Sequence, residues 1–567
     1  MKSTDKYDKV IELARRRGFF WPSYEIYGGV GGLLDFGPPG VAVKRKIENK
    51  WRKLFLKSHD FLEIETPVIT PEKVFQASGH IEHFKDPMVE CIKCKRKYRV
   101  DHLLTETGAS NTESMNLIEL DNQIKKKDVY CQDCGGQLSK SNYVQTMFKT
   151  TIGPFTDNIG YGRPEAAQGI FVNFKRLHEV MRDKFPIGIG QIGHALRNEI
   201  SPRQGPVRLR EFTIMEFEFF FDPTDPSCSR LSEIEETEIN LVPFTSRKPV
   251  LITVKNALQK KLILIEWMGY FMALSQQFIS ELGIPPEKQR FFEKSPSERA
   301  HYSDQTFDQE ILLDRWGWTE VSGHAYRTSY DISRHMEFSG VDMSVFKPHL
   351  KPIEVQEKKL IPIANVLRRD FGDDTNKILQ LLKSEDLTKV QTQINEKGSF
   401  QLGKYVVTKE HFEIKTSSKK ETGRRIIPHV IEPSFGVDRL VYAAMEFAYS
   451  TKEDRVVLSL PKSIVPFDAV VLPLMTKMEL VEETKKIYTN LQKSGLETYY
   501  DETGSIGKRY ARSDEIAVPL AITIDYQTLD DGTVTIRDRD TWKQQRVNKD
   551  ELVTLIKNYA SQSNHYR

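Results

Sequence analysis

The chain has 567 residues, with 82 Lys and Arg against 79 Asp and Glu and a formal net charge of +3. That length exceeds what one hydrophobic core supports and requires several domains, while the near-neutral balance excludes a global basic field, so any nucleic acid must be met by local patches. No charge-free run reaches membrane-spanning length; the best candidate, Leu262 to Ile279, contains Glu266 and reads as a buried helix.

Residues 1–17 predict a short polar helix, and Asp5, Asp8 and Glu12 among its basic residues argue against a targeting peptide, consistent with a cytoplasmic protein. Gly18 to Gly40 is dense in glycine. No hydrophobic strand precedes it, and Pro38-Pro39 breaks the turn-to-helix step, which excludes a dinucleotide-binding turn. Val41 to Ser58 predicts an amphipathic helix with Trp51 and Phe55 on its apolar side. Phe61 to Ile69 reads as a strand containing Pro67, which an edge strand tolerates.

Cys91-Ile-Lys-Cys94 and Cys131-Gln-Asp-Cys134-Gly135-Gly136 come next. Two residues between thiolates let both reach one tetrahedral ion, and the trailing glycines allow the tight turn. Four of the five cysteines therefore predict a structural zinc ribbon with no open coordination position, in a reducing compartment. The separation between the pairs is longer than in compact ribbons. Tyr143 to Phe155 leads back to the core. Arg163-Pro164-Glu165 opens a helix over about 166–181, whose dipole favours a carboxylate in the first turn.

The densest chemistry follows in a strand, loop, strand unit. Phe212 to Phe221 alternates and is rich in aromatic residues. Pro202-Arg203-Gln204-Gly205-Pro206 is turn chemistry. The resulting hairpin lines up Arg197, Glu199, Arg208, Arg210, Phe212 and Glu216. Guanidiniums match phosphate oxygens, a ring stacks on a nucleobase, and a carboxylate accepts from an exocyclic amine. The set fits a bent nucleotide with its α-phosphate on Arg197. It also fits an ion-pair ladder on a solvated strand face.

Asp222-Pro-Thr-Asp-Pro marks a boundary, and residues 223 to about 300 form an insert, helical in its second half, with an unpaired Cys228. Trp316 to Asp331 returns to strand-like alternation, and Arg327-x-x-x-Asp331 reads as a structural pair. Gly340 to about Arg425 is a second, charged insert in which Lys377 to Leu387 can form a helix. His429 to Ala444 reads as a strand entering a helix; Glu432 and Ser434 share a face, and Arg439 lies one turn into the helix, where the N-terminus favours anions. From Ile464 strands and helices alternate as a separate α/β domain. Its Gly504-Ser-Ile-Gly507-Lys508 has the wrong spacing for a phosphate loop.

Arg197-Asn198-Glu199, the arginine-rich loop and Phe212 resemble motif 2 of a class II aminoacyl-tRNA synthetase. Arg163 to Phe171, Gln191-Ile-Gly193 and Glu432-Pro433-Ser434-Phe435-Gly436-Val437-Asp438-Arg439 narrow the resemblance to the glycyl-tRNA synthetases of the homodimeric, archaeal and eukaryotic type, from about Gly18 to near the C-terminus. The resemblance implies an α+β fold: an antiparallel-sheet catalytic core (1–84, 143–222, 316–463, with an insert at about 340–425), a ribbon-like insert (85–142), a helical insert (223–315) and a C-terminal α/β anticodon-binding domain (464–567).

It implies glycine, ATP with Mg2+ and tRNA(Gly) as ligands, and a homodimer whose interface uses the helix and strand around Pro67, the counterpart of motif 1. The implied ATP site comprises Arg197, Asn198, Glu199, Val207, Arg208, Leu209, Arg210, Glu211 and Phe212, together with Glu320, Val321, Gly436, Val437, Asp438 and Arg439. Glu320 is the implied Mg2+ carboxylate, and Arg197, Glu320 and Arg439 the catalytic set. The implied glycine site comprises Arg99, Glu165, Phe212, Thr213, Ile214, Met215, Glu216, Glu432, Pro433, Ser434, Phe435 and Gly436. Arg537 and Arg539, on the last strand of the anticodon-binding domain, can reach tRNA or pair with neighbouring aspartates. The alternative function is a catalytically inactive synthetase-like accessory protein that binds nucleic acid; it would be expected to lose the motif arginines and carboxylates, all of which are present.

Overall fold

The computed structural model describes residues 5–109, 112, 115–154, 157–200, 202, 205–385 and 387–561; Phe155 and, in the expected turn, Arg203 and Gln204 lie outside the described residues. Its centre is a 9-stranded sheet. In spatial order the strands are Val250–Thr253, Glu238–Val242, Gln289–Glu293, Gln305–Leu313, Gly317–Thr328, His429–Gly436, Glu211–Phe221, Ile187–Leu196 and Leu62–Glu63. Neighbours are antiparallel except at two outer pairs, Leu62–Glu63 beside Ile189–Gly190 and Leu241–Val242 beside Phe291–Phe292.

The strand Glu211–Phe221 shows how the sequence sorts the two faces. Successive side chains point to opposite sides of a strand. Met215, Phe217, Phe219 and Phe221 enter the main apolar core. There Phe217 meets Phe271 at 5.0 Å between ring centroids and Phe219 meets Trp267 at 4.2 Å, both on the buried helix Glu266–Glu281. The other face carries Phe212, Ile214, Glu216, Glu218 and Phe220, and Phe220 stacks on Phe174 of the helix Ala167–Val180.

Two elements differ from expectation. Pro38-Pro39 starts the helix Pro38–Trp51 rather than blocking it, because proline in the first turn loses no intrahelical hydrogen bond. Gly40 is needed there, since a Cβ would lie 1.9 Å from the Phe19 carbonyl oxygen. Residues 223–315 are not a separate helical insert: they supply four strands of the central sheet and the helix Glu266–Glu281 that packs beneath it. Their polar loops, such as Asp222–Arg230, look like a boundary in sequence while the strands between them are short. Pro67 ends the expected long strand, leaving Leu62–Glu63 at the sheet edge and Ile69–Pro71 paired with Gly160–Gly162.

The ribbon segment forms a three-stranded sheet, Lys97–Arg99, Lys85–Glu90 and Asn142–Gln145, over a small core of Val89, Tyr98, Val100, Leu104 and Leu120. Helices Val100–Glu106 and Leu117–Lys126 occupy the chain between the cysteine pairs and account for their long separation. At the C-terminus Thr498–Tyr500, Ala469–Pro473, Leu520–Ile524, Thr533–Asp538 and Gln544–Asn548 form a five-stranded sheet in that order. Residues 344–426 are a compact unit of their own. Long paired arms, Val345–Pro362 and Phe412–Ile426, carry three helices around a core that includes Leu367, Ile378, Leu382, Val390 and Phe400. Among the described residues no helix is long and apolar enough to cross a membrane.

Candidate active site

A cavity of about 350 Å³ opens over the central strands and is lined by Arg197, Glu199, Arg208, Phe212, Glu320 and Arg439 among others. Each arginine is tethered. Arg197 Nε donates to the Pro164 carbonyl at 3.1 Å, and its guanidinium stands 5.4 Å from the Phe212 ring centroid. Arg439 Nε donates to the Val207 carbonyl at 3.0 Å, and its Nη1 donates to the Glu320 carbonyl. Arg208 Nε donates to Glu199 Oε2 at 2.9 Å, and its Nη1 lies 3.1 Å from His102 Nδ1. Burial, then the Arg99 and Arg208 charges, lower His102 to about 4. A neutral imidazole therefore faces Arg208.

Arg210 differs from Arg208. It donates to the Glu199 carbonyl at 3.1 and 2.9 Å and to the Gly31 carbonyl at 2.7 Å, tying the loop to the glycine-rich segment. Gly32, at φ +80°, lies against Pro202 and Arg210 with no room for a Cβ. Asp438 is a clamp: it accepts from Thr213 N at 2.5 Å and from Lys44 Nζ at 2.9 Å, joining two strand ends to the helix Pro38–Trp51.

Two residues along the strands from the cavity-lining Ile214 and Ser434 lies an acidic niche. Glu165, Glu216 and Glu432 are all buried, with carboxylate oxygens within 4.8 Å of one another. Glu216 and Ser434 are cross-strand partners, and Ser434 in turn pairs with Gly323. Gly323 lies beside this pair, where a Cβ would meet Ser434 Oγ at 3.4 Å, an ordinary contact. Arg163 fixes the wall by donating to the His194 carbonyl at 2.8 Å and the Thr66 carbonyl at 3.0 Å.

Arg327, fully buried, holds the set together. It reaches Glu432 at 2.8 Å, Asp331 at 2.8 Å and Glu165 at 3.6 Å. Gln168 Nε2 donates to Glu165 at 3.0 Å and to Asp331 at 2.8 Å. Burial opposes the Glu165 charge, but His80 and Arg327 outweigh it and hold that carboxyl well below its ordinary value. Burial, then the charges of Glu165 and Glu432, push Glu216 well up. Burial raises Glu432 to about 7 despite Arg327. One cation entering here would relieve this excess of negative charge.

Alternation sorts the expected residues. Phe212 and Ile214 line the cavity, whereas Met215 and Val437 belong to the apolar core. Thr213 and Pro433 fall on the face away from Glu216 and Glu432. Glu211 pairs with His194 at 3.0 Å at the strand end, and the Asn198 amide donates to the Thr146 carbonyl at 2.7 Å. Arg99 is committed elsewhere: it is bound to Asp101 at 2.9 Å and Asp86 at 3.3 Å beside a second cavity, shared with His102, Glu199 and Arg208.

Arg537 and Arg539 are corrected to structural roles. Arg537 makes a two-pronged pair with buried Asp514 at 2.8 and 2.9 Å, and Arg539 donates to the Ala517 carbonyl at 2.9 Å and the Leu460 carbonyl at 3.1 Å. At 4% and 2% exposure neither can touch a ligand. Sequence reasoning missed Asp308 as well. It lies beside Glu320, bound to Lys294 at 2.8 Å, and burial followed by the Glu320 charge raises it to about 7.

All four ribbon sulfurs lie within 4.8 Å of one another, with Cys91–Cys134 and Cys94–Cys131 each at 3.5 Å. Four thiolates about 2.3 Å from one zinc ion stand about 3.8 Å apart. The donor set therefore fits a tetrahedral ion.

Residues 468–559 match the family model described as an anticodon binding domain. The glycine–tRNA ligase of Aeropyrum pernix is 46% identical over 565 residues, covering 98% of this chain and 97% of that one. That of Pyrococcus horikoshii is 45% identical over 561 residues, covering 98% of each. The chain belongs to the glycine–tRNA ligase family. The fold also resembles the crystal structure of prolyl-tRNA synthetase from Cryptosporidium parvum complexed with L-proline and AMP, at a TM-score of 0.51 and 11% identity over 98% of this chain and 78% of that one. That likeness bears out the class II fold.

The niche makes a pH prediction for this family member. An ammonium is held by ionised carboxylates, and Glu216 and Glu432 are both raised, Glu432 to about 7. Binding then favours deprotonation. For a glycine ammonium seated there, affinity falls as pH drops through about 7, where Glu432 takes up its proton, and binding releases protons. Titration calorimetry in buffers of different ionisation enthalpy measures both; proton uptake, or affinity independent of pH, would contradict it.

Proposed function

We propose that this chain is a glycine–tRNA ligase. It activates glycine with ATP to glycyl-adenylate and passes the glycyl group to the 3′ end of tRNA(Gly). The observation that carries the reading is an arginine-lined cavity next to an acidic niche along two strands, His429–Gly436 and Glu211–Phe221, which give Ser434 and Ile214 to the cavity and Glu432 and Glu216 to the niche. A glycine carboxylate oxygen attacks the α-phosphorus of ATP, and the bond from that phosphorus to the pyrophosphate oxygen breaks. The adenosine 3′-hydroxyl of tRNA then displaces AMP from the glycyl carbonyl. Neither step needs a protein nucleophile, so catalysis is positioning and charge neutralisation.

Arg197 binds the α-phosphate, where donors fixed in advance act most strongly as charge develops. Arg208 and Arg439 take the β- and γ-phosphates, while Arg210 stays with the loop backbone. Phe212 stacks on adenine and Glu199 accepts from its amine. Glu320 with Asp308 would hold Mg2+, since hard oxygen donors suit it and a cation offsets the burial of Asp308; when bound, it screens the phosphates. Glu165, Glu216 and Glu432 receive the ammonium, Ser434 offers a hydroxyl, and a pocket closed by side chains rejects larger amino acids by overlap. The completeness of this set favours an active enzyme over an accessory protein.

Three finer readings accompany it. The four cysteines hold a structural zinc ion, which the sulfur spacing supports. The chain works as a homodimer through the region of the helix Pro38–Trp51; exposed Tyr24, Ile26, Tyr27 and Ile69 flank that helix in sequence and support it. Its place is the cytoplasm, where its tRNA substrate is used.

Glycine-dependent ATP–pyrophosphate exchange tests the main reading. The wild-type protein should support exchange with glycine and not with alanine, and Glu216→Ala should lose at least about a hundred-fold, the scale of an unpaired buried charge contact. Exchange at the wild-type rate in Glu216→Ala would overturn the niche assignment. For the metal, elemental analysis should find one zinc per chain, released by Cys91→Ser together with a fall in melting temperature; a metal-free wild-type protein of unchanged stability would overturn it.

A further inference from the structure

Glu218 has no role in the mechanism above, yet it is 0% exposed and neither carboxylate oxygen has a hydrogen-bond partner among the described residues. It lies two residues beyond Glu216 on the same strand, hence on the same face. The register that sets Glu216 against Ser434 and Phe219 against Ile431 sets Glu218 against Glu432. On its other side Ile189 is the cross-strand neighbour and offers no donor. The charged groups that face it are Glu216 on its own strand, Glu432 opposite, and Arg327 and Asp331 from the next strand and helix. Arg327 is already engaged with Glu432, Asp331 and Glu165.

An ionised carboxylate in that position would face a like charge directly across the strands, without a donor and out of water. Such an arrangement costs far more than the strand could recover. A carboxylic acid, by contrast, can donate its proton to the carboxylate opposite. Burial, followed by the Glu432 charge, pushes Glu218 well up, in keeping with that state.

We propose that Glu218 is a positioning residue of the glycine niche, carried as the neutral acid and donating its O–H to Glu432 across the sheet. Glu432 is thereby held between Arg327 on one side and Glu218 on the other, with its remaining lone pairs aimed at the niche. Glu218 itself never touches the substrate; it acts through Glu432. The proposal rests on the reading of the niche as the glycine site, and its structural half can be read without glycine.

The first test uses no substrate. An infrared difference spectrum of wild type minus Glu218→Gln at neutral pH should show the carbonyl band of a protonated carboxyl. A pair of carboxylate bands instead would overturn the proposal whatever the fate of the glycine reading. The second test is kinetic. Glu218→Gln keeps a donor, so its KM for glycine in exchange should stay within about three-fold of wild type. Glu218→Leu loses the donor, and its KM for glycine should rise about ten-fold or more, the scale of one hydrogen bond to a charged group, with KM for ATP unchanged. Proton release on glycine binding should be equal in wild type and Glu218→Gln. An unchanged glycine KM in Glu218→Leu, or one proton fewer released by Glu218→Gln, would overturn it. A wild-type protein without glycine-dependent exchange would instead sink the proposed function while leaving the infrared result to stand.

Discussion

A single guanidinium, that of Arg327, stands among the niche carboxylates with no exposure at all, 3.7 Å from the ring of Tyr302 and 5.0 Å from that of Phe171. Burying a cation with its carboxylate partners seldom adds net stability, because desolvation offsets the attraction. What the pairing does supply is fixed geometry. Arg327 holds Glu432 and Glu165, which come from segments 267 residues apart. One arginine cannot neutralise them together with Asp331, and burial and this crowding of charge push the Glu216 carboxyl up. The site therefore rests with too much negative charge, which an ammonium entering from the cavity would relieve.

The phosphate side uses the opposite device. Arg197 and Arg439 are cations held in an open cavity by backbone carbonyls, Pro164 and Val207 respectively. Those carbonyls belong to segments that are themselves anchored, by Arg163 against Thr66 and His194, and by Arg210 against Glu199 and Gly31. Donors fixed in this way need little reorganisation when charge builds on a transferring group. The strand Glu211–Phe221 joins the two devices. Its even-numbered side presents a ring, then an apolar residue, then two carboxylates, while its odd-numbered side is packed into the core.

Much of this was legible in the sequence. The alternation of Phe212 to Phe221, the turn chemistry before it and the ordered words around Arg197 and Arg439 marked the hairpin, the class and the acidic set. The misreadings have physical causes. Arg327 and Asp331 do form the expected pair, but the sequence does not show that Arg327 also holds Glu432, 105 residues away. Residues 223–315 looked like an insert because short strands separated by polar loops carry little periodic signal, although the sheet is built from them. Arg537 and Arg539 looked like ligand contacts because alternate arginines on a strand say nothing of which face is covered; Asp514, from a helix earlier in the chain, covers Arg537. The cysteine pairs were read correctly as one cluster, and the helices between them explain their spacing.

The account depends on the ammonium of the substrate lying among Glu165, Glu216 and Glu432 while Arg327 keeps its carboxylates. A crystal structure with a non-hydrolysable glycyl-adenylate analogue measures this directly. The expected result is the amine within hydrogen-bond reach of those carboxylates, the adenine on Phe212 and the phosphate mimic on Arg197, with the Arg327–Glu432 pair intact. An analogue whose amine turned toward solvent, or one that bound only after Arg327 had left Glu432, would contradict the account.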